Sequence, residues 1–198
     1  MPAARWQSWG FVTVPVAYRK GAAGSDDVAV ALRHVAADHP DAPICVYGES
    51  AGGTWAMLAV ARSRPVSCVI AAAAPIDAET WRAGARTPEA SFYAGDVWPT
   101  YFGDGADDDL FEPYDVWRRL RPADRLLLLA ADGDTLVPPQ QARMMTGVGL
   151  PRPPVLRVLP RGPERFVHSS VAARPLEQAL GEMRAFVRGG AAARTRSR

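Results

Sequence analysis

Histidine is scarce in this 198-residue chain: His34, His39 and His168 are the only three. Any chemistry that needs an imidazole to move a proton near neutral pH must draw on one of them. Cysteine is scarcer still, with Cys45 and Cys68 alone, each inside an apolar, strand-like run. Two such positions favour buried free thiols over a disulfide or a metal ligand, and with them a reducing, cytoplasmic setting. No run approaches the ~18 apolar residues of a membrane span, and the opening Met1-Pro2-Ala3-Ala4-Arg5-Trp6 lacks the basic start and apolar stretch of a signal peptide. A strong excess of one charge is also missing. The formal net charge is +2, but the last ten residues hold three arginines and no acid, leaving residues 1–188 near −1. That balance offers no basic face to nucleic acid. The acidic cluster Asp104, Asp107, Asp108, Asp109, Glu112 and Asp115 lacks the D-x-D-x-D-G form of a calcium loop and reads as a solvated loop. No metal and no cofactor is expected.

What is present has a rhythm. A short amphipathic piece leads into Gly10–Tyr18, whose β-branched and apolar residues predict a strand. Ser25 offers an N-cap, Asp26 and Asp27 favour a helix start, and Val28, Leu32 and Val35 fall on one stripe until Pro40. Further apolar runs follow at Ile44–Tyr47, Val66–Ala73, Leu126–Ala130 and Val155–Leu159, with helical or irregular segments between most of them. Such alternation predicts an α/β domain with a mainly parallel sheet flanked by helices. A last helix carries Leu176, Leu180, Met183 and Val187 on one stripe and is expected to stop at Gly189-Gly190. The domain then spans residues 1–188, with 189–198 a disordered basic tail. About fifty residues, Ala74 to Asp124, lie between two strands that a plain crossover would join in far fewer. Nine of the seventeen aromatics fall between Trp81 and Trp117. Their concentration there predicts a small cap insertion at about 74–124, suited to an apolar or aromatic group.

The chemistry concentrates at Tyr47-Gly48-Glu49-Ser50-Ala51-Gly52-Gly53, which joins a strand to a helix. Glycines two residues either side of Ser50 permit the sharp turn that presents a nucleophile, a nucleophile elbow, and the Ala51 backbone N–H at the helix start points at developing negative charge. A plain glycine-rich turn has the same composition, and a dinucleotide loop does not fit because the spacing is not G-x-G-x-x-G. A serine hydroxyl needs a base, and the base needs a carboxylate to orient it. His34 falls off the apolar stripe of its helix and His39 sits at its end. His168, in the loop after the last strand, remains as the base. The orienting acid is Asp132 or Asp134, both in the turn that ends the run Leu126–Ala131.

Gly48-Glu49-Ser50-Ala51-Gly52-Gly53, with the earlier Val16-Ala17-Tyr18-Arg19, resembles the α/β-hydrolase superfamily, in its esterase and lipase branch that includes hormone-sensitive-lipase-like enzymes. The resemblance covers roughly residues 5–188. It implies an α/β-hydrolase fold, a Ser50–Asp134–His168 triad and hydrolysis of carboxylic esters of small molecules, with Ala51 as one oxyanion donor. The family's acid turn, D-x-x-V-P, matches Asp134-Thr135-Leu136-Val137-Pro138 and so favours Asp134 over Asp132. The family's oxyanion loop, HGG or HGGG, occurs nowhere in the chain. The expectation is therefore a fold N-terminally truncated relative to the family, with the strand Phe11–Ala17 either beside Ile44–Tyr47 or leaving a gap there, slow turnover, and exposed sheet edges that make the chain marginally stable as a monomer or pair it as a homodimer. A prolyl-oligopeptidase-like peptidase, an acyltransferase, and a catalytically impaired fragment with a binding role are the alternatives.

Overall fold

The computed structural model describes residues 3–21, 23–63, 66–77, 125–134, 136–147, 153–160, 168 and 176–195. The cap insertion and the acidic cluster lie outside these residues from position 78 to 124.

Four strands form one parallel sheet in sequential order: β1 (Cys45–Glu49), β2 (Cys68–Ala72), β3 (Arg125–Ala131) and β4 (Val155–Leu159). Ile70 pairs with Tyr47 on one side and Leu127 on the other, and Leu129 pairs with Arg157. Because side chains alternate across a strand, the leucine run of β3 serves both faces of the sheet. Leu126 and Leu128 join Val69 and Ala71 beneath helices α2 (Ala23–Asp38) and α3 (Ala51–Arg62), where Val28, Leu32, Trp55 and Leu58 are buried. Leu127 and Leu129 face the other way with Ile70, against Ala179, Met183, Phe186 and Val187. Those four belong to the C-terminal helix, α5 (Leu176–Thr195), which follows the short α4 (Gln140–Met144) in chain order. The short α1 (Ala3–Gln7) lies on the α5 side of the sheet, with Trp6 packed near Tyr47 at 5.7 Å between ring centroids. A mainly parallel sheet sandwiched by helices is thus what the alternating pattern required.

Four local expectations are corrected. First, Gly10–Tyr18 carries no strand: residues 11–19 have no ladder partner, and Val12 and Val14 are 80% and 51% exposed. β-branched composition favours a strand only where a neighbouring backbone supplies hydrogen bonds, and the outer edge of β1 carries no strand among the described residues. Of the two arrangements expected beside β1, a strand or a gap, the described residues show the gap. Second, α2 begins at Ala23, so Ser25 is no cap; it is 1% exposed, inside the helix, and its hydroxyl accepts from Arg62 at 3.1 Å. Third, α5 runs through Gly189-Gly190 to Thr195, because glycine lowers helix propensity without blocking the backbone and three alanines follow. Fourth, Cys45 and Cys68 are joined in a disulfide. They occupy the same register position on adjacent strands, with Cα atoms 4.6 Å apart, within bridging range. Separation along the chain gave no sign of this pairing, and the free-thiol argument for a reducing compartment falls with it. No helix among the described residues is long and apolar enough to cross a membrane.

Candidate active site

Parallel strands with right-handed crossovers collect their carboxyl ends on one edge of the sheet, and loops there converge. Ser50 follows β1, Asp134 follows β3 and His168 follows β4, so all three candidates are delivered to that edge.

Ser50 sits at φ 52° and ψ −132°, a conformation that costs a non-glycine residue about 1–3 kcal/mol. The turn is held by a hydrogen bond from the Ser50 N–H to the Ala72 carbonyl at 2.9 Å. Its tightness explains the glycines. A Cβ on Gly48 would overlap the backbone of Gly52 and Gly53, and one on Gly53 would come 2.8 Å from the Ala74 methyl. Only hydrogen at these positions lets α3 start so close to β1 and β2. Ala51 is the first residue of α3, so its N–H faces outward without an intrahelical acceptor, as at any helix start. Tyr18 also borders the turn: a Cβ on Gly52 would come 3.3 Å from its hydroxyl. Beneath, the Tyr47 hydroxyl donates to Glu49 at 3.0 Å. Burial, reinforced by the Glu49 carboxylate, pushes the Tyr47 pKa well above the ordinary tyrosine range.

Asp134 is buried, its side chain fully so, yet well satisfied: one carboxylate oxygen accepts from the Leu136 N–H at 2.9 Å and the Val137 N–H at 2.8 Å. Buried carboxylates persist only with such partners. Asp132, by contrast, is exposed, and its backbone N–H is spent on the Leu159 carbonyl at 2.7 Å.

His168 lies between the two. Its Nε2 is 2.9 Å from Ser50 Oγ, and its Nδ1 is 3.4 Å from each Asp134 carboxylate oxygen. With the proton on Nδ1, the imidazole donates toward Asp134 and accepts from the serine hydroxyl. The structure therefore brings together Ser50, Asp134 and His168, with Ala51 beside the serine, and leaves His34, His39 and Asp132 exposed and outside the cluster. No group of three or more His, Cys, Asp or Glu among the described residues is arranged to hold a metal ion.

Two polar residues near the site were not singled out by sequence. Thr54 on α3 donates to the Pro75 carbonyl at 2.5 Å, and the Gln141 side-chain oxygen on α4 accepts from the N–H groups of Ile76 and Asp77 at 2.7 and 2.8 Å. Neither belongs to a motif, and one threonine in an apolar helix or one glutamine of a Gln-Gln pair carries no distinguishing signal.

Comparison with known proteins bears on the fold. The sequence model of the family described as "Serine aminopeptidase, S33" matches residues 21–101. No curated protein sequence matches the chain. Among solved structures, esterase B from Lactobacillus Rhamnosis (HN001) superposes with a TM-score of 0.66 at 14% identity, over 90% of this chain and 64% of that one. A monoacylglycerol lipase from Paleococcus ferrophilus does so at 0.60 and 13%, over 86% and 77%. Prolyl oligopeptidase B from Galerina marginata gives 0.57 and 15%, over 82% of this chain and 23% of that one. The chain spans 61–64% of the length of the esterases it matches. The chain has the α/β-hydrolase fold, and its neighbours in fold include esterases, lipases and peptidases.

Proposed function

We propose that the protein is a serine hydrolase of carboxylic esters, acting through Ser50, His168 and Asp134. The observation that carries this reading is the 2.9 Å contact between Ser50 Oγ and His168 Nε2, with the other ring nitrogen turned to a buried, hydrogen-bonded carboxylate. In that arrangement His168 takes the serine proton as Oγ attacks the ester carbonyl, and returns it to the departing alcohol. Water then attacks the acyl-enzyme, again with His168 as base, and Ser50 is released. Asp134 holds the ring with Nδ1–H inward and stabilises the imidazolium. The Ala51 N–H stabilises the oxyanion. Every step uses the chain's own residues and water, with no metal or cofactor. Resemblance to esterases and a lipase in fold supports an ester substrate.

A fluorophosphonate, which reacts only with an activated serine, tests this without knowledge of the natural substrate. It labels the wild-type protein at Ser50 alone, and Ser50→Ala abolishes both labelling and hydrolysis of a nitrophenyl ester while circular dichroism stays unchanged. Labelling that persists in Ser50→Ala removes the assignment.

Peptide-bond hydrolysis is the second reading, favoured by the aminopeptidase family match and the prolyl oligopeptidase likeness. Aminoacyl nitroanilides assayed beside nitrophenyl esters separate the two: turnover of the anilides at a comparable kcat/KM assigns a peptidase.

A further inference from the structure

The backbone that leaves β2 is gripped from two directions. On the nucleophile side, the Ala72 carbonyl accepts from the Ser50 N–H at 2.9 Å, and Thr54 Oγ1 donates to the Pro75 carbonyl at 2.5 Å. Gly53 packs so closely on Ala74 that a methyl group would not fit between them. On the acid side, the Gln141 amide oxygen accepts from the consecutive N–H groups of Ile76 and Asp77 at 2.7 and 2.8 Å. Gln141 stands on α4, seven residues past Asp134, and its own N–H is tied to the Pro138 carbonyl at 3.0 Å. The gripped stretch is buried from Ala71 through Ile76, Ala73 adopts φ 45°, and Thr54 and Gln141 are 3% and 0% exposed. Water cannot substitute readily for either side chain in such a place.

His168 has to span the serine turn and the acid turn at once, at 2.9 and 3.4 Å. Those turns follow β1 and β3, which do not pair with each other; β2 lies between them. Their separation at the carboxyl edge is therefore set by whatever locks both to the chain emerging from β2. We infer that Thr54 and Gln141 are positioning residues for the proposed hydrolysis, clamping residues 75–77 between α3 and α4 and so fixing the Ser50-to-Asp134 separation that His168 bridges. The chemistry suits the task. A glutamine oxygen receives two neighbouring N–H groups without burying a charge, and a threonine hydroxyl reaches one carbonyl from a helix that must otherwise be apolar. Neither side chain touches the reacting atoms, so both act through the distance between the groups that do.

This inference rests on the triad reading, and two readouts keep them separable. One is the second-order rate constant for fluorophosphonate labelling of Ser50. The other is the NMR chemical shift of the His168 Nδ1 proton, which reports its contact with Asp134 and needs no turnover. Asp134→Asn provides the reference in which the carboxylate acceptor is gone. Thr54→Val and Gln141→Leu are expected to slow labelling about tenfold, a scale set by misplacement of reacting groups on the order of 1 Å, and to move that shift toward the Asp134→Asn value. Thr54→Ser, which keeps the hydroxyl, recovers most of both. If Gln141→Leu fails to fold, the near-isosteric Thr54→Val and its partner Thr54→Ser decide. Folded variants whose labelled fraction drops while the labelling rate constant and the Nδ1 proton shift stay at wild-type values overturn the inference, since that pattern belongs to a residue that only stabilises the fold. Absence of labelling in the wild type overturns the hydrolase reading instead, and the Nδ1 proton shifts still report whether the clamp sets the geometry.

Discussion

The turn after β1 and the turn after β3 each deliver one side chain of the proposed triad, by opposite physical means. Ser50 is presented by strain: positive φ, a crowded backbone and glycines where any Cβ would collide. Asp134 is presented by satisfaction, its carboxylate buried and bonded to the next available N–H groups. A nucleophile has to project with its hydroxyl free, so its mount cannot be relaxed onto neighbouring atoms. An orienting acid has to stay ionised in a dry place, so its mount is a set of donors. Strain leaves a mark in sequence because only certain residues tolerate it. A cradle of backbone donors leaves little mark, since any residue supplies an N–H.

The sharpest way to break this contrast is to remove the charge from the satisfied turn. Asp134→Asn is expected to lower kcat for a nitrophenyl ester by about 10⁴, because the amide no longer enforces the imidazole tautomer. His168→Ala has an effect of similar order, whereas His34→Ala and the exposed Asp132→Asn change it less than about twofold. A larger loss in Asp132→Asn than in Asp134→Asn would mean that the cradled carboxylate is not the functional one.

Gly48→Ala strikes the strained turn. The added methyl overlaps the Gly52 backbone, which cannot move without dragging the start of α3, so denaturant titration is expected to show a loss of more than about 3 kcal/mol. A variant that folds with wild-type stability would show that the turn has slack.

The smallest effect belongs to a contact outside both turns. Asp27 accepts from the Arg19 side chain at 2.7 Å and from its N–H at 2.9 Å, which hold its pKa down to about 2. The folded pKa lies below the unfolded value of about 3.9. The stabilisation is therefore fully present above pH ~4 and disappears as pH falls through about 2. The pair is exposed, so Asp27→Asn should lower stability slightly near neutral pH, less so in high salt, and not at all near pH 2. Urea titrations at three pH values check this. A gap between the two proteins that widens toward low pH contradicts the sign.

Comparable sequence signals had unequal fates elsewhere in the molecule. Val155–Leu159 and Phe11–Ala17 are both short, apolar and rich in β-branched residues, yet only the first is a strand. Val155–Leu159 meets the open edge of β3, while Phe11–Ala17 meets no ladder, and its valines face outward. We propose that the β1 edge, which carries no strand among the described residues, and the exposed valines beside it pair with a second copy, the homodimer expected from the sequence. Light scattering checks it, and a monomer at high concentration would refute it.

By itself the sequence determined the features that local sterics and periodicity impose. The parallel helix-flanked sheet follows from alternating apolar runs, the serine turn from its glycines, and the candidacy of His168 as base from the poverty of alternatives. What only the tertiary structure decided depends on which backbone lies beside which. It set the register that places Cys45 opposite Cys68, the missing ladder along residues 11–19, and the continuation of α5 past its two glycines. It also decided the grip of Thr54 and Gln141 on residues 75–77. A hydrogen bond between residues 65 positions apart costs the chain nothing in local preference and leaves no period behind. It exists only once β2 has been laid between β1 and β3, bringing the serine turn and the acid turn to the same edge.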